Sequence, residues 1–246
     1  ARTVGELLRA ARAALDAQDA RIDSELLLAH VLERARSYLF AHPEAVVTAT
    51  QCAAYRALIA RRRDGEPLAY LVGRQEFWSL ELTLDGSTLV PRPETELLVE
   101  LALERLGAAP ARVLDLGTGS GAIALALASE RPQWQVLGID RDPRALALAA
   151  ANAARLRLAN ARFAPGDWFA GLAGERFDLV VSNPPDIRDD DPCRQDAGLR
   201  HEPRHALFTQ QSLERLEHQG RLLVGVEAVH VRRHVVVQRR DMAAFF

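Results

Sequence analysis

The fold of this chain is decided by one stretch, RVLDLGTGSG, which occupies residues 112–121. Its first half, residues 112–116, is a short apolar run of the kind that forms a buried strand. Its second half has a glycine at every other position, and glycine lets the backbone turn sharply and approach a ligand closely. A helical pattern begins at residue 122. The stretch therefore predicts a strand, a ligand-binding turn and a helix in direct succession.

The chain beyond this turn alternates between two periodicities. Strand-like runs recur at residues 135–140, 161–164 and 177–182, and helical patterns fill residues 122–130 and 143–156. Such alternation is typical of a parallel sheet with helices on its faces. We therefore predict an α/β fold with a Rossmann-like, doubly wound and mostly parallel sheet that binds ligands at the carboxyl ends of its strands.

The chain before the turn begins with a helical region. Thr3 and Glu6 form a capping box at the start of the first helix, and further helical patterns lie near residues 24–33 and 50–63. One face of the first helix is apolar and carries Val4, Leu7, Leu8, Ala11 and Leu15. We predict a small N-terminal helical-bundle domain over residues 1–72.

A change of pattern separates this bundle from the rest of the chain. Residues 73–91 contain extended segments around the turn signal Asp85-Gly86, and they predict a β-hairpin linker. The second domain then covers residues 92–246. It opens with a helix at residues 94–106, and four of its apolar side chains are expected to pack on the sheet: Leu97, Leu98, Leu101 and Leu106.

The composition restricts the possible classes of function. With 246 residues, 48% of them apolar, the chain can bury a large core. Its net charge of -2 lacks the cationic field of a protein held mainly by phosphate contacts, so nucleic-acid binding is not expected. The cysteines and histidines show no metal-ligand spacing, so no metal is expected. No apolar run reaches the ~20 residues of a membrane span, and the first residues lack a signal peptide's apolar stretch, so we expect a cytoplasmic protein without membrane contact.

Two details of the glycine turn indicate its ligand. The spacing is G-x-G-x-G rather than the dinucleotide pattern G-x-G-x-x-G, and Asp115 precedes it, where a carboxylate suits a cationic ligand better than a pyrophosphate. The stretch resembles motif I of class I S-adenosylmethionine-dependent methyltransferases. Asp140, at the end of the next strand, is placed to accept hydrogen bonds from ribose hydroxyls. The alternative is that Asp140 caps the helix that begins near Pro143.

An acidic and an aromatic residue, Asp167 and Trp168, follow the third of the predicted strands. A carboxylate and an aromatic face at this place can meet the amino group and the ring of an adenine. The alternative is that Trp168 and Phe169 simply belong to the core.

The most specific motif is Ser182-Asn183-Pro184-Pro185, directly after the fourth strand. Two consecutive prolines stiffen the chain and remove two backbone donors, so the side-chain oxygen of Asn183 and nearby carbonyls surround one point with acceptors. An NH₂ group conjugated to a carbonyl or a ring is a poor nucleophile, and such acceptors can hold it in line with a sulfonium methyl. The motif therefore suits methylation of a planar nitrogen, unless it merely ends a strand.

This motif resembles the (D/N/S)-P-P-(Y/F/W) signature of amino-methyltransferases, which act on adenine N6 or on glutamine N5. Residues 63–78, 90–96 and 200–207 closely resemble the release-factor glutamine methyltransferases called PrmC or HemK, from the N-terminal bundle to about Leu207. The resemblance implies transfer of a methyl group from S-adenosyl-L-methionine, with S-adenosyl-L-homocysteine as product, to the Gly-Gly-Gln glutamine of class I peptide-chain release factors. It also implies that the N-terminal domain helps to hold this protein substrate.

The resemblance assigns roles to individual residues. The expected catalytic residues are Asn183 and Pro184. The expected glutamine site consists of Asn183, Pro184, Pro185 and Asp186. The expected cofactor-binding residues are Asp115, Gly117, Thr118, Gly119, Ser120, Gly121, Asp140, Asp167, Trp168 and Asn183.

The chain departs from this family in two places. Asp186 stands where the signature has an aromatic residue, and a carboxylate brings charge and hydration to a place that an aromatic ring would close to water. After Leu207 the family has a longer helix and a strand-helix-strand end. Residues 222–237 here suffice for only part of the last hairpin of the sheet.

Three alternative functions remain open on the same residues. An adenine-N6 methyltransferase acting on nucleic acid shares the Asn-Pro-Pro chemistry, although the chain lacks a broad basic surface. A protein that holds cofactor and partner but turns over little is the interpretation that Asp186 favours. A nicotinamide-dependent oxidoreductase is compatible with the glycine turn alone.

Overall fold

A computed structural model describes residues 2–15, 20–184, 187–188, 199–209, 229–239 and 242–245. These residues divide into two compact units. The first contains the residues up to Gly73 together with residues 199–201, and the second contains those from Arg74 to 188 and from Glu202 onward. Pro185, Asp186 and residues 222–228 lie outside the described residues, and with them part of the predicted substrate site and of the last hairpin.

Helices form most of the first unit where it is described. They are α1 (Val4–Ala14), α2 (Ala20–Leu32), α3 (Arg36–Ala41), α4 (Ala49–Arg63) and α5 (Leu68–Val72). Two short strands, β1 (Arg2–Thr3) and β2 (Val46–Val47), pair antiparallel. The predicted capping box of Thr3 and Glu6 is present at α1. The sequence does not predict α3 and α5, because each spans fewer than two turns and shows no periodicity.

An apolar core and buried ion pairs, among them a cluster around Glu25, hold this unit together. The predicted stripe of α1 is buried, namely Val4, Leu7, Leu8, Ala11 and Leu15. The carboxylate of Glu25 is fully buried and contacts Arg12 at 2.8 Å, Arg36 at 2.5 Å and Arg21 at 3.5 Å. A buried carboxylate left without these partners would cost several kcal/mol. The cluster therefore fixes α1, α2 and α3 against one another.

The second unit begins with a hairpin that is shorter than the sequence predicts. Strands β3 (Arg74–Phe77) and β4 (Leu80–Thr83) pair antiparallel, and Trp78 and Ser79 form the turn between them. A turn is present at the predicted place, where Gly86 and Ser87 form it and the amide of Ser87 donates to Oδ1 of Asp85 at 2.8 Å. It lies in the segment after β4, so the prediction that it joins the two strands of the hairpin is wrong.

Two glutamates from other elements stabilise the unexpected turn between β3 and β4. Trp78 and Ser79 have φ values of 53° and 59°, a region that residues with a side chain rarely adopt. The backbone N–H of Trp78 donates to Glu96 at 2.8 Å, and its indole N–H donates to Glu130 at 2.8 Å. Tertiary contacts therefore place the turn where no local glycine signal exists.

A six-stranded sheet forms the centre of the second unit as described. The helices of the unit are α6 (Glu96–Leu106), α7 (Ala122–Glu130), α8 (Pro143–Leu156) and the short α9 (Arg204–Leu207). The first sheet strands are β5 (Arg112–Leu116), β6 (Gln135–Asp140), β7 (Ala161–Pro165) and β8 (Glu175–Ser182). A separate parallel pair consists of β9 (Ile187–Arg188) and β10 (Phe208–Thr209). The sheet is completed by β11 (Val229–Arg239) and β12 (Met242–Phe245).

The order of the strands determines where a ligand can bind. The sheet reads β12-β11-β8-β5-β6-β7, and all neighbouring pairs are parallel except β11 with β12. From β5 the chain moves outward through β6 to β7 and then returns to β8 on the other side of β5. The reversal creates a crevice at the carboxyl ends of β5 and β8, and ligands bind at such a switch point. The predicted α/β class, doubly wound and mostly parallel, is confirmed.

Two apolar clusters cover the two faces of this sheet. Val113 and Val181 belong to the cluster that includes α6, α7 and the hairpin, whereas their chain neighbours Leu114 and Val180 belong to the other cluster. This alternation follows the two-residue period of side chains along a strand. Within the described residues, no helix is both long and apolar enough to cross a lipid bilayer.

Helix α6 differs from the prediction at one position. Its buried residues are Leu98, Val99, Ala102 and Leu106. Leu97 is 46% exposed, so the prediction that it packs on the sheet is wrong. Adjacent leucines at 97 and 98 offer two overlapping apolar faces, and packing in the second unit selects the face with Leu98.

We expect Leu98→Ala to lower the free energy of unfolding by about 2–5 kcal/mol, because Leu98 is fully buried and its truncation leaves a cavity. The matched control Leu97→Ala should change it by less than about 0.5 kcal/mol. Chemical denaturation followed by tryptophan fluorescence measures both, since Trp78, Trp134 and Trp168 all lie in the second unit. Equal losses in the two variants would contradict the assignment of the buried face.

Candidate cofactor and substrate site

The ends of neighbouring strands bring the main predicted site residues to one edge of the sheet. Leu116, the last residue of β5, lies opposite Ser182, the last residue of β8. The hydroxyl of Ser182 donates to the carbonyl oxygen of Leu116 at 3.0 Å and holds this register. Adjacent strands lie about 4.8 Å apart. Gly117 and Asn183, the residues that follow these two strand ends, therefore lie next to each other. Asp140 ends β6, on the other side of β5.

The glycine turn has a backbone that few other residues could form. The φ values of Gly117, Gly119 and Gly121 are 71°, 55° and 84°. Four of the five amides of residues 117–121 already donate to protein oxygens at 2.9–3.0 Å. The turn therefore does not present the array of N–H donors that binds a pyrophosphate. This geometry argues against a nicotinamide dinucleotide as the ligand.

Asp115 is a fully buried carboxylic acid beneath this turn. The hydroxyl of Thr118 donates to its Oδ2 at 2.7 Å, whereas Oδ1 has no hydrogen-bond partner. Burial raises the pKa of Asp115 to about 7; the Thr118 hydroxyl and the backbone N–H of Ala124 oppose this rise, and the charge of Asp140 adds a smaller contribution to it. A positively charged ligand nearby would favour the ionised form.

Gly138, in the middle of β6, makes room for this arrangement. A Cβ at position 138 would lie 2.6 Å from the hydroxyl oxygen of Thr118 and 2.7 Å from the ring of Phe163. Gly138 is not among the site residues predicted from the sequence, although a glycine inside an apolar strand is itself a signal of close approach.

Asp140 uses both carboxylate oxygens at the turn. Its Oδ2 accepts a hydrogen bond from the amide of Gly119 at 3.0 Å, and its Oδ1 accepts one from the amide of Asp142 at 3.0 Å. Helix α8 is capped by Asp142, which accepts from the amide of Arg144 at 2.9 Å. The alternative that Asp140 caps this helix is therefore wrong. Each oxygen of Asp140 can accept one more hydrogen bond, as a ribose diol requires.

Asp167 and Trp168 follow β7 at the same edge of the sheet. Asp167 is exposed, and Trp168 is partly exposed while it packs against a cluster that contains Leu114 and Ile139. The φ of Trp168 is 54°, which is uncommon for a bulky residue. Trp168 therefore contacts the core, as the alternative interpretation predicted, but part of its side chain remains accessible.

Asn183 and Pro184 stand at the end of β8. Asn183 is half-buried and Pro184 is buried. The side-chain Nδ2 of Asn183 donates to the hydroxyl oxygen of Thr95 at 3.2 Å. Thr95 is itself buried and ends the 3₁₀ turn Pro93–Thr95 before α6. Thr95 is not among the site residues predicted from the sequence, although it lies in the family-like segment 90–96.

Two further buried polar residues, Glu202 and Asn152, hold the segments around the site through contacts that the sequence does not predict. The carboxylate of Glu202 accepts from the amide of Val90 at 3.1 Å and from the guanidinium of Arg92. The carboxamide of Asn152 binds the main chain of Thr83 through both its atoms, at 2.8 and 3.1 Å, and donates to the carbonyl of Ser120 at 3.1 Å. Their partners lie 32 to 112 positions away in the chain, so no local pattern reveals them.

The groups at this edge fit S-adenosylmethionine. The cofactor carries positive charge and no pyrophosphate, which suits a carboxylate-rich edge whose turn amides are already bonded. A Cβ on Gly117 would meet nothing within 4 Å, so the turn has open space beside it. Among the residues that the structure describes, no group of three or more His, Cys, Asp or Glu side chains is arranged to hold a metal ion.

Family comparisons match both parts of the chain. The model of the PrmC N-terminal domain matches residues 6–73, and the model of the methyltransferase small domain matches residues 93–240.

Individual relatives cover most of the chain. The release factor glutamine methyltransferase of Escherichia coli strain K12 is 50% identical over 83% of this chain and 74% of its own length. The release factor glutamine methyltransferase of Pseudomonas aeruginosa is 51% identical over 78% of this chain and 70% of its own length. Among solved structures, the catalytic domain of hMettl16 has a TM-score of 0.50 at 14% identity over 77% of this chain and 67% of that chain. At that identity the likeness shows the fold alone.

The fold and the matched catalytic domain define the class, which is that of the S-adenosylmethionine-dependent methyltransferases. Relatives of about 50% identity extend over both units of the structure. The chain belongs to the release factor glutamine methyltransferase family.

We expect Gly138→Ala to displace Thr118 from Asp115, because the new Cβ would overlap the Thr118 hydroxyl. Affinity for S-adenosylhomocysteine should fall about tenfold, and stability should fall by about 1–3 kcal/mol. Gly86→Ala is the matched control, since its Cβ would meet nothing within 4 Å and its φ is ordinary. Calorimetric titration and thermal melts test both variants. Unchanged binding by Gly138→Ala would contradict the proposed packing.

We expect Asp115→Asn to change how stability depends on pH. The folded pKa of Asp115, about 7, lies above the usual value of 3.8, so its contribution to stability is complete below about pH 4 and is lost as the pH rises through 7. Asparagine does not titrate. The melting temperature of the variant relative to the wild type should therefore rise between pH 5 and pH 8.5 in protein without cofactor. A constant difference over this range would refute the raised pKa.

Proposed function

We propose that this protein transfers the methyl group of S-adenosylmethionine to the side-chain amide nitrogen N5 of a glutamine, the one in the Gly-Gly-Gln motif of class I peptide-chain release factors. The proposal depends on one observation. Asn183, which follows the end of β8, lies beside the glycine turn that follows β5, where the strand order of the sheet reverses. A single small donor molecule on the turn would therefore lie within reach of an amide bound at Asn183.

The cofactor half of the site is proposed to lie along the ends of β5, β6 and β7. Residues 117–121 would hold the charged end of the cofactor, and the buried Asp115 would act on it through its charge. Asp140 would accept from the ribose hydroxyls, and Asp167 with Trp168 would meet the adenine. The cofactor supplies a methyl group on a positively charged sulfur. The buried acid Asp115 supports this arrangement, because a cationic ligand compensates its ionisation.

The substrate half of the site is proposed to consist of Asn183 and the prolines after it. A glutamine amide is a weak nucleophile, since its lone pair is delocalised into the carbonyl. Oδ1 of Asn183 would accept one N–H and align the nitrogen with the methyl carbon, a positioning effect that is worth several orders of magnitude in rate. The bound donor would supply its methyl group in one displacement, in which the S–C bond would break as the N–C bond formed, and the nitrogen would then release a proton to water. No strong base is required for this sequence.

The identity of the protein substrate is proposed from the relatives. Their names specify release factor glutamine, and the match to the PrmC N-terminal domain over residues 6–73 supports a similar partner here. We propose residues 1–72 as the substrate-recognition domain, 73–91 as the hairpin linker and 92–246 as the catalytic domain.

A methyl-transfer assay with labelled cofactor tests this function. Label should move to a class I release factor and be lost when the Gly-Gly-Gln glutamine is replaced by alanine. Asn183→Ala should reduce kcat by about 10²–10³-fold, since it removes the acceptor that aligns the amide. The matched control Asn160→Ala removes an asparagine outside the site, which binds carbonyls at the end of α7 and before β6, and it should keep kcat near the wild type.

Further arms separate the alternatives. Absence of label on the glutamine, with S-adenosylhomocysteine bound in calorimetry, would contradict the proposed substrate. A salt-sensitive affinity for DNA or RNA with methylated adenine would favour the adenine-N6 activity.

Asp186→Tyr restores the aromatic of the signature and should raise kcat about tenfold or more, because an aromatic ring excludes water. A chain that binds cofactor and release factor but remains inactive even as Asp186→Tyr would be a binding protein.

A further inference from the structure

Thr95 makes a contact that the proposed chemistry depends on. Its hydroxyl oxygen accepts a hydrogen bond from Nδ2 of Asn183 at 3.2 Å. Thr95 is 3% exposed, so bulk water does not replace this bond. The two residues are 88 positions apart in the chain, and the contact joins the segment before α6 to the end of β8.

The contact matters because the two ends of a carboxamide have opposite functions. The oxygen of Asn183 accepts hydrogen bonds, whereas its NH₂ group only donates. A half-turn about the last side-chain bond exchanges the two ends, and this torsion is broad and roughly two-fold in its preferences. In the exchanged orientation, the NH₂ group of Asn183 would face the NH₂ group of a substrate amide, and two donors cannot bond to each other.

The bond to Thr95 restrains the carboxamide in the orientation that the structure shows, although a hydroxyl can donate as well as accept and does not by itself exclude the exchanged orientation. It engages the NH₂ end of Asn183, and the oxygen therefore occupies the opposite end of the carboxamide. A threonine hydroxyl is a suitable acceptor at this place, because the branched Cβ leaves the side chain few rotamers.

The surrounding segment holds Thr95 in place. Pro91 and Pro93 fix two backbone torsions, and the amide of Thr95 donates to the carbonyl of Arg92 at 3.0 Å. Glu202 is 4% exposed and anchors the same segment through the amide of Val90 and the guanidinium of Arg92. The orientation of Asn183 therefore rests on a rigid segment and not on a mobile loop.

We propose that Thr95 is a positioning residue, which sets the carboxamide of Asn183 so that its oxygen faces the amide nitrogen to be methylated. The inference rests on the function proposed above. It assigns to Thr95 no contact with the reacting atoms, since Thr95 acts only through Asn183.

The test compares Thr95→Val, which keeps the shape and loses the hydroxyl, with Thr95→Ser, which keeps the hydroxyl. Thr95→Val should lower kcat by about 10- to 100-fold with little change in KM or in affinity for S-adenosylhomocysteine, because the lost hydrogen bond leaves the carboxamide of Asn183 free to rotate away from the observed orientation. Thr95→Ser should keep most of the rate. In an Asn183→Ala background, Thr95→Val should cost nothing further. Thr83→Val is the matched control and should keep the wild-type rate, because the Thr83 side chain is exposed and only its main chain, which the substitution keeps, bonds to Asn152.

A second readout does not depend on turnover. The side-chain NH₂ resonances of Asn183, assigned by their loss in Asn183→Asp, should shift in Thr95→Val and stay near their wild-type positions in Thr95→Ser, in protein without cofactor. Thermal melts check that each variant is folded.

Three results would overturn the inference. They are unmoved Asn183 resonances in Thr95→Val, equal losses of rate in the valine and serine variants, and a weaker cofactor affinity with kcat unchanged, which would make Thr95 a cofactor contact. If the wild type moves no methyl group to glutamine, the proposed function fails, and the resonances alone still decide whether Thr95 orients Asn183.

Discussion

The site depends on the register of β8 against β5. Leu116 pairs with Ser182, and the Ser182 hydroxyl bonds the carbonyl of Leu116, so both strands end at the same level. A slip by one residue would turn each side chain of β8 to the other face. It would also move Asn183 away from the level of Gly117. β5 and β8 lie on either side of the reversal of strand order, so the chain does not run directly from one to the other. No helix connecting the two therefore covers the space beyond their carboxyl ends. The placement of Asn183 beside the glycine turn thus depends on the pairing of β5 with β8, and the apolar side chains of these two strands fix that pairing.

The electrostatics of the glycine turn are the second constraint. Most backbone N–H groups of the turn donate to oxygens within the protein, so few of them are available to donate to a ligand. Acidic groups surround it, and burial of Asp115 raises its pKa to about 7. Burying an acid in this way costs stability, which is recovered when a cationic ligand binds the folded state. Gly138 belongs to the same constraint, because only the absence of its Cβ lets Thr118 reach Asp115. A neutral or anionic ligand would leave that cost uncompensated.

The sequence predicts those features that are local in the chain. The observed bounds of β5, α7, β6 and α8 coincide with the predicted ones, because each element has its own periodicity and its own breaker. The glycine turn and Asn183 are found for the same reason. The hairpin turn at Trp78 is not predicted, because no residue in it signals a turn. Glutamates from α6 and α7 stabilise this turn instead. The contacts of Thr95, Asn152 and Glu202 are not predicted, because their partners are distant in the chain. Leu97 shows the same limit, since only packing decides between two adjacent leucines.

These distant contacts explain why irregular segments can serve the site. Asn152 joins the main chain of β4 to Ser120 of the glycine turn, and Glu202 joins Val90 and Arg92 to the chain beyond β8. The hairpin is therefore attached to the turn by a buried carboxamide whose hydrogen bonds are internal. A loop whose polar groups were open to water would fluctuate and lose the alignment that weak nucleophiles need. Buried polar residues do not add much net stability, but they do select one arrangement of the chain. Orientation at Asn183 is thus a property of the unit's internal hydrogen bonding, and the local motif alone does not confer it.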